Sequence, residues 1–498
     1  MRAQPTIRFV FRGQTVTAPA ADPTRSVLQW LREDARACGS KEGCAEGDCG
    51  ACTVIVAELE DEVPQPSQAL RVAGLALRPV NACIRFLPTL HGKALLTVED
   101  LAQGGQLHPA QQALVAHHGS QCGFCTPGFA MSLAACHERH AEAGSTPTRT
   151  ELADALAGNL CRCTGYRPIL DAGLAMNALP GPRLPLDGLA AQLRAIRAEP
   201  APAIPGFAAP RTLAALAAAR EAAPEATLLA GATDIGLWVN KQLRALPSLI
   251  HLGDVAELRR IDETGGGLRI GAAVPLEDGW AALVQRWPAL AEMHRRFAGP
   301  PVRHAGTLVG NLANGSPIGD TAPVLIALGA TLALRRGAAT RTLPLEDFYL
   351  GYMKNALAPG EFVEAVSVPW PSPAPAPGWR VQAHKLSKRF DCDISAVSAG
   401  FALRLDGERV AEARLAFGGM AAVVQRAAGA EAALTGQPWT EPTLRAAQQA
   451  LATDFTPLGD LRASAAYRRQ AAAALLERLW LSTRAHDPLP DSALRAFT

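Results

Sequence analysis

The chain has 498 residues, and its 48 lysines and arginines against 46 aspartates and glutamates give a formal net charge of +2, which argues against nucleic acid as the main partner. With 48% hydrophobic and 19% charged residues, a disordered chain is excluded, and the length predicts roughly three or four folded domains. No apolar run reaches the ~20 residues of a membrane helix and the N-terminus has no apolar signal core, so we expect a soluble, cytoplasmic protein without a membrane partner.

The first group of cysteines has three members on one short loop and a fourth further along the chain. These are Cys44, Cys49, Cys52 and Cys83. The spacing C-x4-C-x2-C followed by a distant cysteine is typical of a plant-type [2Fe–2S] site. Interleaved glycines, Gly43, Gly47 and Gly50, allow the backbone to turn N–H groups towards a small anionic cluster. A structural zinc site is the alternative, because four thiolates also satisfy zinc.

The gap between the third and fourth of these cysteines contains the acidic stretch from Glu58 to Pro66. Its charge and its two prolines predict an exposed hairpin extension of the fold. Cys83 then remains as the fourth ligand of the group.

A second group of cysteines consists of two pairs at predicted helix ends. These are Cys122, Cys125, Cys161 and Cys163. Thr126 is predicted as the N-cap of the helix that follows the first pair, and Thr148 and Glu151 form a capping box before the second pair. Helix ends favour bound thiolates, but on spacing alone both an iron–sulfur cluster and zinc remain open.

The middle of the chain changes from helices to alternating strands and helices after a proline-rich linker. Residues 226–236 predict a buried strand, a glycine-containing turn and a helix. Residues 306–320 combine glycines with small hydroxyl and amide side chains, which suits either a pyrophosphate-binding loop or a simple turn between strands. No G-x-G-x-x-G sequence opens a βαβ unit, so a Rossmann site is not supported. A second proline-rich break, from Pro369 to Pro377, precedes the last domain.

The motifs that surround the cysteines are specific enough to carry a resemblance. Residues 42–53, EGCAEGDCGACT, and 158–169, GNLCRCTGYRPI, resemble the two iron–sulfur modules of molybdenum hydroxylases. Residues 229–236 and 306–320 resemble the flavin-contacting segments of the same family, and the resemblance covers nearly the whole chain. It implies an α+β multidomain fold with a ferredoxin-like β-grasp [2Fe–2S] domain, a helical-bundle [2Fe–2S] domain, a vanillyl-alcohol-oxidase-type FAD domain and a C-terminal α+β domain. The expected boundaries are 1–92, 93–178, a linker at 179–205, 206–370 and 376–498.

The resemblance also implies which residues hold the cofactors. Both cysteine quartets would bind [2Fe–2S] clusters. The pyrophosphate of FAD would be lined by Leu228, Gly231, Ala232, Thr233 and Asp234. Its phosphate, ribityl or ribose groups would be held by Thr307, Gly310, Asn311 and Asp320. Phe297 would stack near the isoalloxazine ring, Lys385 would stabilise negative charge on the reduced ring, and Tyr352 would flank a nicotinamide pocket. Family members often carry glycine or asparagine at the position of Ala232.

As a function, the resemblance implies an electron relay. Electrons would leave a molybdenum cofactor on a large molybdopterin-binding partner, enter the second quartet's cluster, pass to the first quartet's cluster and then to FAD and NAD+. The expected assembly is an (αβ)2 heterotetramer that oxidises hypoxanthine and xanthine to urate, with the substrate-oxidising residues on the partner. Alternatives are the same relay for an aldehyde or another N-heterocycle, a free-standing NADH:acceptor reductase, and a zinc-stabilised interaction protein.

Overall fold

The computed structural model describes residues 5–370 and 378–494, so most of the proline-rich break before the last domain lies outside the described residues. Two compact units are present. The first holds residues up to 260, 273–279 and 298–307, and the second holds 261–272, 280–297 and the chain from 308 onwards. Within the described ranges, no helix has the length and apolar character needed to cross a membrane.

The first unit begins with a six-stranded sheet of order β2-β1-β6-β3-β5-β4. Its strands are β1 (Thr6–Phe11), β2 (Gln14–Pro19), β3 (Thr53–Leu59), β4 (Leu70–Val72), β5 (Leu75–Asn81) and β6 (Ala94–Leu96). β1 and β6 run parallel and the other neighbours are antiparallel. Helix α1 (Val27–Glu33) starts at a capping box between Ser26 and Gln29. This arrangement confirms the ferredoxin-like domain.

The acidic stretch after β3 does form part of a hairpin extension, because β4 and β5 pair antiparallel. It is not fully exposed, however. Val63 is buried, and Glu62 pairs with Arg197 at 2.8 Å. Glu58 lies within β3, where its carboxylate meets buried cations. The charges that predict exposure are therefore partly neutralised by partners far away in sequence.

A helical domain follows, with α2 (Pro109–Ala116), α3 (Thr126–Ala143), α4 (Arg149–Leu156) and α5 (Arg167–Met176). Helix α6 (Leu189–Arg197), within the segment predicted as a linker, packs against β1 and β3 of the ferredoxin-like sheet. The core of the helical domain contains fully buried side chains such as Leu133, Leu152 and Ile169. The predicted capping box of Thr148 and Glu151 is confirmed. The prediction for Thr126 is wrong, because Cys125 occupies the N-cap and the Thr126 hydroxyl bonds to Ser120 at 2.7 Å instead.

The remaining elements of the first unit form a small parallel sheet of order β7-β9-β8 with flanking helices. They are β7 (Phe207–Ala208), α7 (Leu213–Ala222), β8 (Thr227–Leu229), α8 (Ile235–Asn240), β9 (Leu249–His251) and α11 (Pro300–Ala305). Phe207, Leu229 and Leu249 pack into the same apolar core as Phe9 and Trp30 of the ferredoxin-like domain. The predicted strand, turn and helix at 226–236 are thus present.

The second unit contains a five-stranded antiparallel sheet of order β10-β11-β16-β12-β13 and a short hairpin of β14 and β15. These strands are β10 (Ile261–Thr264), β11 (Gly267–Gly271), β12 (Thr331–Arg336), β13 (Ala339–Pro344), β14 (Tyr349–Gly351), β15 (Lys354–Asn355) and β16 (Phe362–Pro369). The accompanying helices are α9 (Leu276–Arg286), most of which belongs to this unit, α10 (Ala291–Arg296), α12 (Leu308–Ala313) and α13 (Thr321–Ala327).

The last part of the second unit is a four-stranded antiparallel sheet covered by helices. Its elements are β17 (Trp379–Leu386), β18 (Val397–Asp406), β19 (Arg409–Gly418), β20 (Gln425–Arg426), α14 (Ala428–Leu434), α15 (Glu441–Asp454), α16 (Ala465–Thr483) and α17 (Asp491–Leu494). Phe401, Phe417, Leu444 and Leu476 share one core, which confirms a C-terminal α+β domain.

Candidate functional site

Strand pairing brings the distant cysteine of the first quartet to the other three. Cys52 directly precedes β3, and Cys83 lies two residues beyond β5. Thr53 is opposite Asn81 in the β3–β5 register, and the N–H of Ala82 donates to the carbonyl of Cys52 at 3.2 Å. Because pairing fixes both cysteines at one end of the sheet, the long gap between them does not disturb their position.

The sulfurs of the first quartet lie close enough to hydrogen-bond with one another. Donation from Cys49 and Cys83 lowers the pKa of Cys44, and the same contacts raise the pKa of both donors. The amide N–H of Cys49 also donates to the Cys44 sulfur at 3.4 Å. The loop therefore already gathers these side chains around one point, where iron would deprotonate them all.

The second quartet is assembled from two loops at helix ends. Cys125 and Cys161 form one hydrogen-bonded pair, and Cys122 and Cys163 form the other. Burial raises the pKa of Cys125 to about 12. The Thr164 hydroxyl lies 3.2 Å from the Cys161 sulfur, and contacts of this kind tune the electronic properties of ligating sulfurs. Cys161 is buried, whereas Cys122 and Cys163 are exposed.

The contacts between the sulfurs bear on the choice between a two-iron cluster and zinc. Tetrahedral zinc with bonds of ~2.3 Å brings all four sulfurs to within about 3.8 Å of each other. Among the described cysteines, no three sulfurs lie within 4.8 Å of one another. In the second quartet the sulfurs contact one another in two pairs, which suits two irons with two thiolates each, whereas in the first quartet Cys44 contacts both Cys49 and Cys83. The pairing of the sulfurs in the second quartet is compatible with a [2Fe–2S] cluster.

Backbone contact joins the two quartets. The N–H of Leu160, next to Cys161, donates to the carbonyl of Cys49 at 3.0 Å. A Cβ atom at Gly50 would lie 2.2 Å from the carbonyl oxygen of Gly158, and Gly50 has a φ of +68°. Only glycine satisfies both the close approach and the left-handed backbone there.

The first flavin segment lies against the start of the second within the first unit. A Cβ at Gly231 would lie 2.0 Å from the carbonyl oxygen of Ala305, so the loop after β8 runs directly against the chain that leads to Thr307. Ala232 has a φ of +62°, which explains why glycine or asparagine suits this position. Asp234 is exposed at the start of α8 and makes no capping bond with its side chain. Leu228 and Thr233 are half-buried beside this loop.

The second unit holds a buried charged triad. The Lys385 ammonium donates to Asp320 at 2.6 Å and to the Ser395 hydroxyl at 2.9 Å, and that hydroxyl donates to the other Asp320 oxygen at 2.6 Å. All three side chains are buried. The Asn311 Oδ1 atom on α12 is buried without a hydrogen-bond partner, as expected of a residue that awaits a polar ligand.

The predicted aromatic residues of the second unit have contrasting environments. Phe297 is buried, with its ring 6.0 Å from that of Trp280. Tyr352 is 71% exposed at the turn between β14 and β15. Gly310 lies within α12, beside Asn311. The residues predicted to hold FAD thus divide between the units, six in each.

Comparison with known families identifies the domains. Four family profiles match successive parts of the chain. They are the 2Fe-2S iron-sulfur cluster binding domain at 9–86, the [2Fe-2S] binding domain at 97–174, the FAD binding domain in molybdopterin dehydrogenase at 203–371, and the CO dehydrogenase flavoprotein C-terminal domain at 382–483. The chain carries the iron–sulfur and flavin domains of a molybdenum hydroxylase. The expected pair of [2Fe–2S] domains and the FAD domain are thereby confirmed.

Individual molybdenum hydroxylases resemble the chain over different lengths. Xanthine dehydrogenase of Emericella nidulans is 32% identical over 99% of this chain, which spans 39% of that protein. Aldehyde oxidase 2 of Cavia porcellus is 30% identical over 88% of the chain, which spans 36% of it. Among solved structures, carbon monoxide dehydrogenase from Hydrogenophaga pseudoflava is 29% identical with a TM-score of 0.51, covering 55% of this chain and 94% of its own. Quinoline 2-oxidoreductase from Pseudomonas putida 86 is 26% identical with the same TM-score of 0.51. That match covers 55% of this chain and 95% of its own.

In this molybdenum-hydroxylase chain a buried ion network connects the ferredoxin-like sheet to the flavin strands, meaning β7, β8 and β9 with the residues that follow β9. Lys93 lies 3.6 Å from Glu58 and 3.7 Å from Asp254, and Arg259 lies 2.8 Å from Glu58. These cations hold the pKa of Glu58 well below its usual range, although burial alone would raise it. Lys93 and its neighbours also line a cavity of about 60 Å³ that reaches Gly231.

One further cluster of potential metal ligands is better explained without a metal. His108, His137 and Glu138 are buried with their ligand atoms within 4.8 Å of one another. The Nδ1 atom of His108 accepts from the N–H of Ala110 at 3.1 Å, so its neutral ring carries the proton on Nε2, which faces Glu138 at 3.6 Å. Arg183 completes the partners of this carboxylate at 2.6 Å. The group is a satisfied buried carboxylate.

Three residues that contact the predicted site residues were beyond sequence reasoning. Ser395 completes the Lys385 triad, Leu160 joins the quartets, and Asn240 donates to the backbone of the first quartet. Leu160 lies within the motif at 158–169, which is the one signal that marks it, and Ser395 lies outside the motifs named above. Asn240 lies outside every motif, and no pattern in the sequence distinguishes it.

Proposed function

We propose that this chain is the iron–sulfur and FAD subunit of a xanthine dehydrogenase, which passes electrons from a molybdenum site on a separate large subunit to NAD+ as hypoxanthine or xanthine becomes urate. The observation that carries this proposal is the Leu160–Cys49 hydrogen bond of 3.0 Å between the two cysteine quartets. A relay needs its centres close and fixed, and a backbone hydrogen bond provides both conditions.

Exposure of the second quartet supports its assignment as the point where electrons enter. Cys122 and Cys163 are exposed, and so are the neighbouring rings of Phe124 and Tyr166, at 47% and 39%. Aromatic rings left in solvent beside a redox site are typical of a surface that a partner covers. The proposed partner is the large molybdopterin-binding subunit, in an (αβ)2 heterotetramer. Cys52 and Cys83 are buried, which suits the first quartet to the inner step.

The predicted flavin-binding residues would place a fixed positive charge and polar groups beside the cofactor. Bound clusters supply one-electron transfer, and FAD combines single electrons into the hydride that NAD+ accepts. Lys385 would offer its ammonium to negative charge on the reduced ring, while Asp320 and Ser395 fix the position of that ammonium. Asn311 would accept a hydrogen bond from a polar group of the cofactor with its unpartnered Oδ1 atom. Tyr352, exposed on its hairpin, would flank the nicotinamide.

The same relay serving an aldehyde or another N-heterocycle is a second candidate. Its support is the similarity of the chain to aldehyde oxidase 2 and quinoline 2-oxidoreductase. The two candidates differ in the substrate pocket, which both assign to the partner. Turnover of the complete complex separates them, with xanthine, hypoxanthine, an aldehyde and quinoline compared by the rate of NADH formation.

The first experiment uses the purified chain alone. Roughly four irons per FAD and no zinc are expected, and NADH added without oxygen should bleach both the flavin and the clusters. Zinc without flavin would refute the relay and favour the interaction-protein alternative. Iron and flavin that NADH fails to reduce would refute NAD+ as the acceptor. Full turnover with a soluble acceptor, unchanged by the partner, would favour a free-standing reductase.

A further inference from the structure

A single short helix connects the flavin loop to the first cysteine quartet. Helix α8 begins directly after the loop of Gly231 and ends at Asn240. The side-chain amide nitrogen of Asn240 donates to the carbonyl of Ala45 at 3.0 Å and to the carbonyl of Cys83 at 2.9 Å. Both hydrogens of this amide are therefore used, one on each of the two chain segments that supply the quartet.

The same face of the helix touches the quartet at a second point. Gly236 lies four residues before Asn240 and so projects in the same direction. A Cβ at Gly236 would lie 2.9 Å from the carbonyl oxygen of Ile84, the residue after Cys83. Ala45 has a φ of +57°, a conformation that non-glycine residues adopt only when their surroundings hold them. The Asn240 hydrogen bond is one such constraint.

We propose that Asn240 is a positioning residue that sets the reduction potential of the first cluster and couples its geometry to the flavin loop. The inference rests on the proposed ligands Cys44, Cys49, Cys52 and Cys83. Carbonyl oxygens carry partial negative charge, which disfavours the addition of an electron to a nearby cluster. The Asn240 amide draws that charge away from two carbonyls at once. Its removal therefore lowers the potential of the first cluster and leaves the second unchanged.

The test is a redox titration of Asn240→Leu followed by electron paramagnetic resonance. Comparison with Cys122→Ser, which lacks the second cluster, assigns the signals. At a fixed solution potential, the reduced-to-oxidised ratio of the first cluster should fall by about tenfold, equivalent to 59 mV for one electron. Its spectrum should also change, while the second cluster, iron content and FAD content match the unaltered chain. Gln242→Leu makes the same chemical change at an exposed side chain two residues away and should have no effect.

Asn240→Asp keeps the shape but replaces the donor by an acceptor, so it should lower the ratio at least as far. Loss of the first cluster's iron, with the second cluster intact, would show a structural role only and would overturn the proposed control of the potential. Unchanged signals in both variants, or equal changes in the two clusters, would overturn it. A first signal missing from the unaltered chain would instead refute the ligand assignment, and this inference with it.

Discussion

Lys93→Met tests whether the buried ion network joins the flavin strands to the ferredoxin-like sheet. Lys93 has a side chain only 7% exposed, and its ammonium lies 3.6 Å from Glu58 and 3.7 Å from Asp254. At an effective dielectric constant of about 20, each attraction is about 5 kcal/mol. The variant saves several kcal/mol of ammonium desolvation but leaves two carboxylates buried with less compensation. We expect a net loss of about 3–5 kcal/mol.

Native-state hydrogen exchange is the suitable assay, because a multidomain chain need not unfold in two states. For amides of β3 and β6 that exchange through opening of this region, 3 kcal/mol corresponds to roughly 100-fold faster exchange. Lys241→Met is the matched control. Lys241 lies 3.6 Å from Glu46, but the two side chains are 44% and 41% exposed. Its loss should cost less than about 1 kcal/mol. Equal effects of the two variants would refute the reasoning.

The stability lost in Lys93→Met should depend on pH with a definite sign. Although burial opposes them, nearby cations hold the pKa values of Glu58 and Asp254 below their usual range. Groups with lowered pKa values contribute stability above their unfolded pKa, which is roughly 4, and that contribution disappears as the pH falls. The difference in stability between Lys93→Met and the unaltered chain should therefore be largest near neutral pH and become smaller in acid. A difference that widens in acid would contradict this network.

Three further variants address the cofactor sites. Cys122→Ser should remove one of two iron signals and leave FAD bound, as measured by electron paramagnetic resonance and absorbance; two remaining signals would reject that ligand. Asp320→Asn removes the charge beside Lys385 and should reduce the FAD retained on gel filtration while iron content stays constant. Ala232→Gly relieves a left-handed φ of +62° and should stabilise the fold by about 0.5–1 kcal/mol without loss of FAD, whereas destabilisation would show that the methyl group is needed.

Local patterns were sufficient to predict the elements of this chain that depend on neighbours in sequence. The capping box of Thr148 and Glu151 forms as predicted because its hydrogen bonds span three residues. Thr126 is not the N-cap, because Cys125 takes that position and the Thr126 hydroxyl bonds to Ser120, six residues earlier. The β4–β5 hairpin follows the acidic stretch that predicts it, but the burial of Glu58 depends on Arg259, 201 residues away.

The contacts of the candidate site are equally remote. Asn240 reaches Ala45 and Cys83 across 195 and 157 residues, and Ser395 reaches Asp320 across 75. The composition of the segments that contain these residues does not predict that they contact each other. The resemblance of the motifs predicts which residues would hold the cofactors, while the groups that hold those residues in place are seen only in the folded chain.

The two quartets illustrate why such a chain can vary in length at one place and not at another. Cys52 and Cys83 are held by the β3–β5 pairing, so additional residues between them extend outwards and leave the sulfurs where they are. Gly50 has no such freedom, because its backbone lies against Gly158, and any side chain there would push the two loops apart. The separation of the quartets is therefore set by the main chain itself. The proposed electron transfer depends on that separation, and a contact without side chains is the one least able to relax.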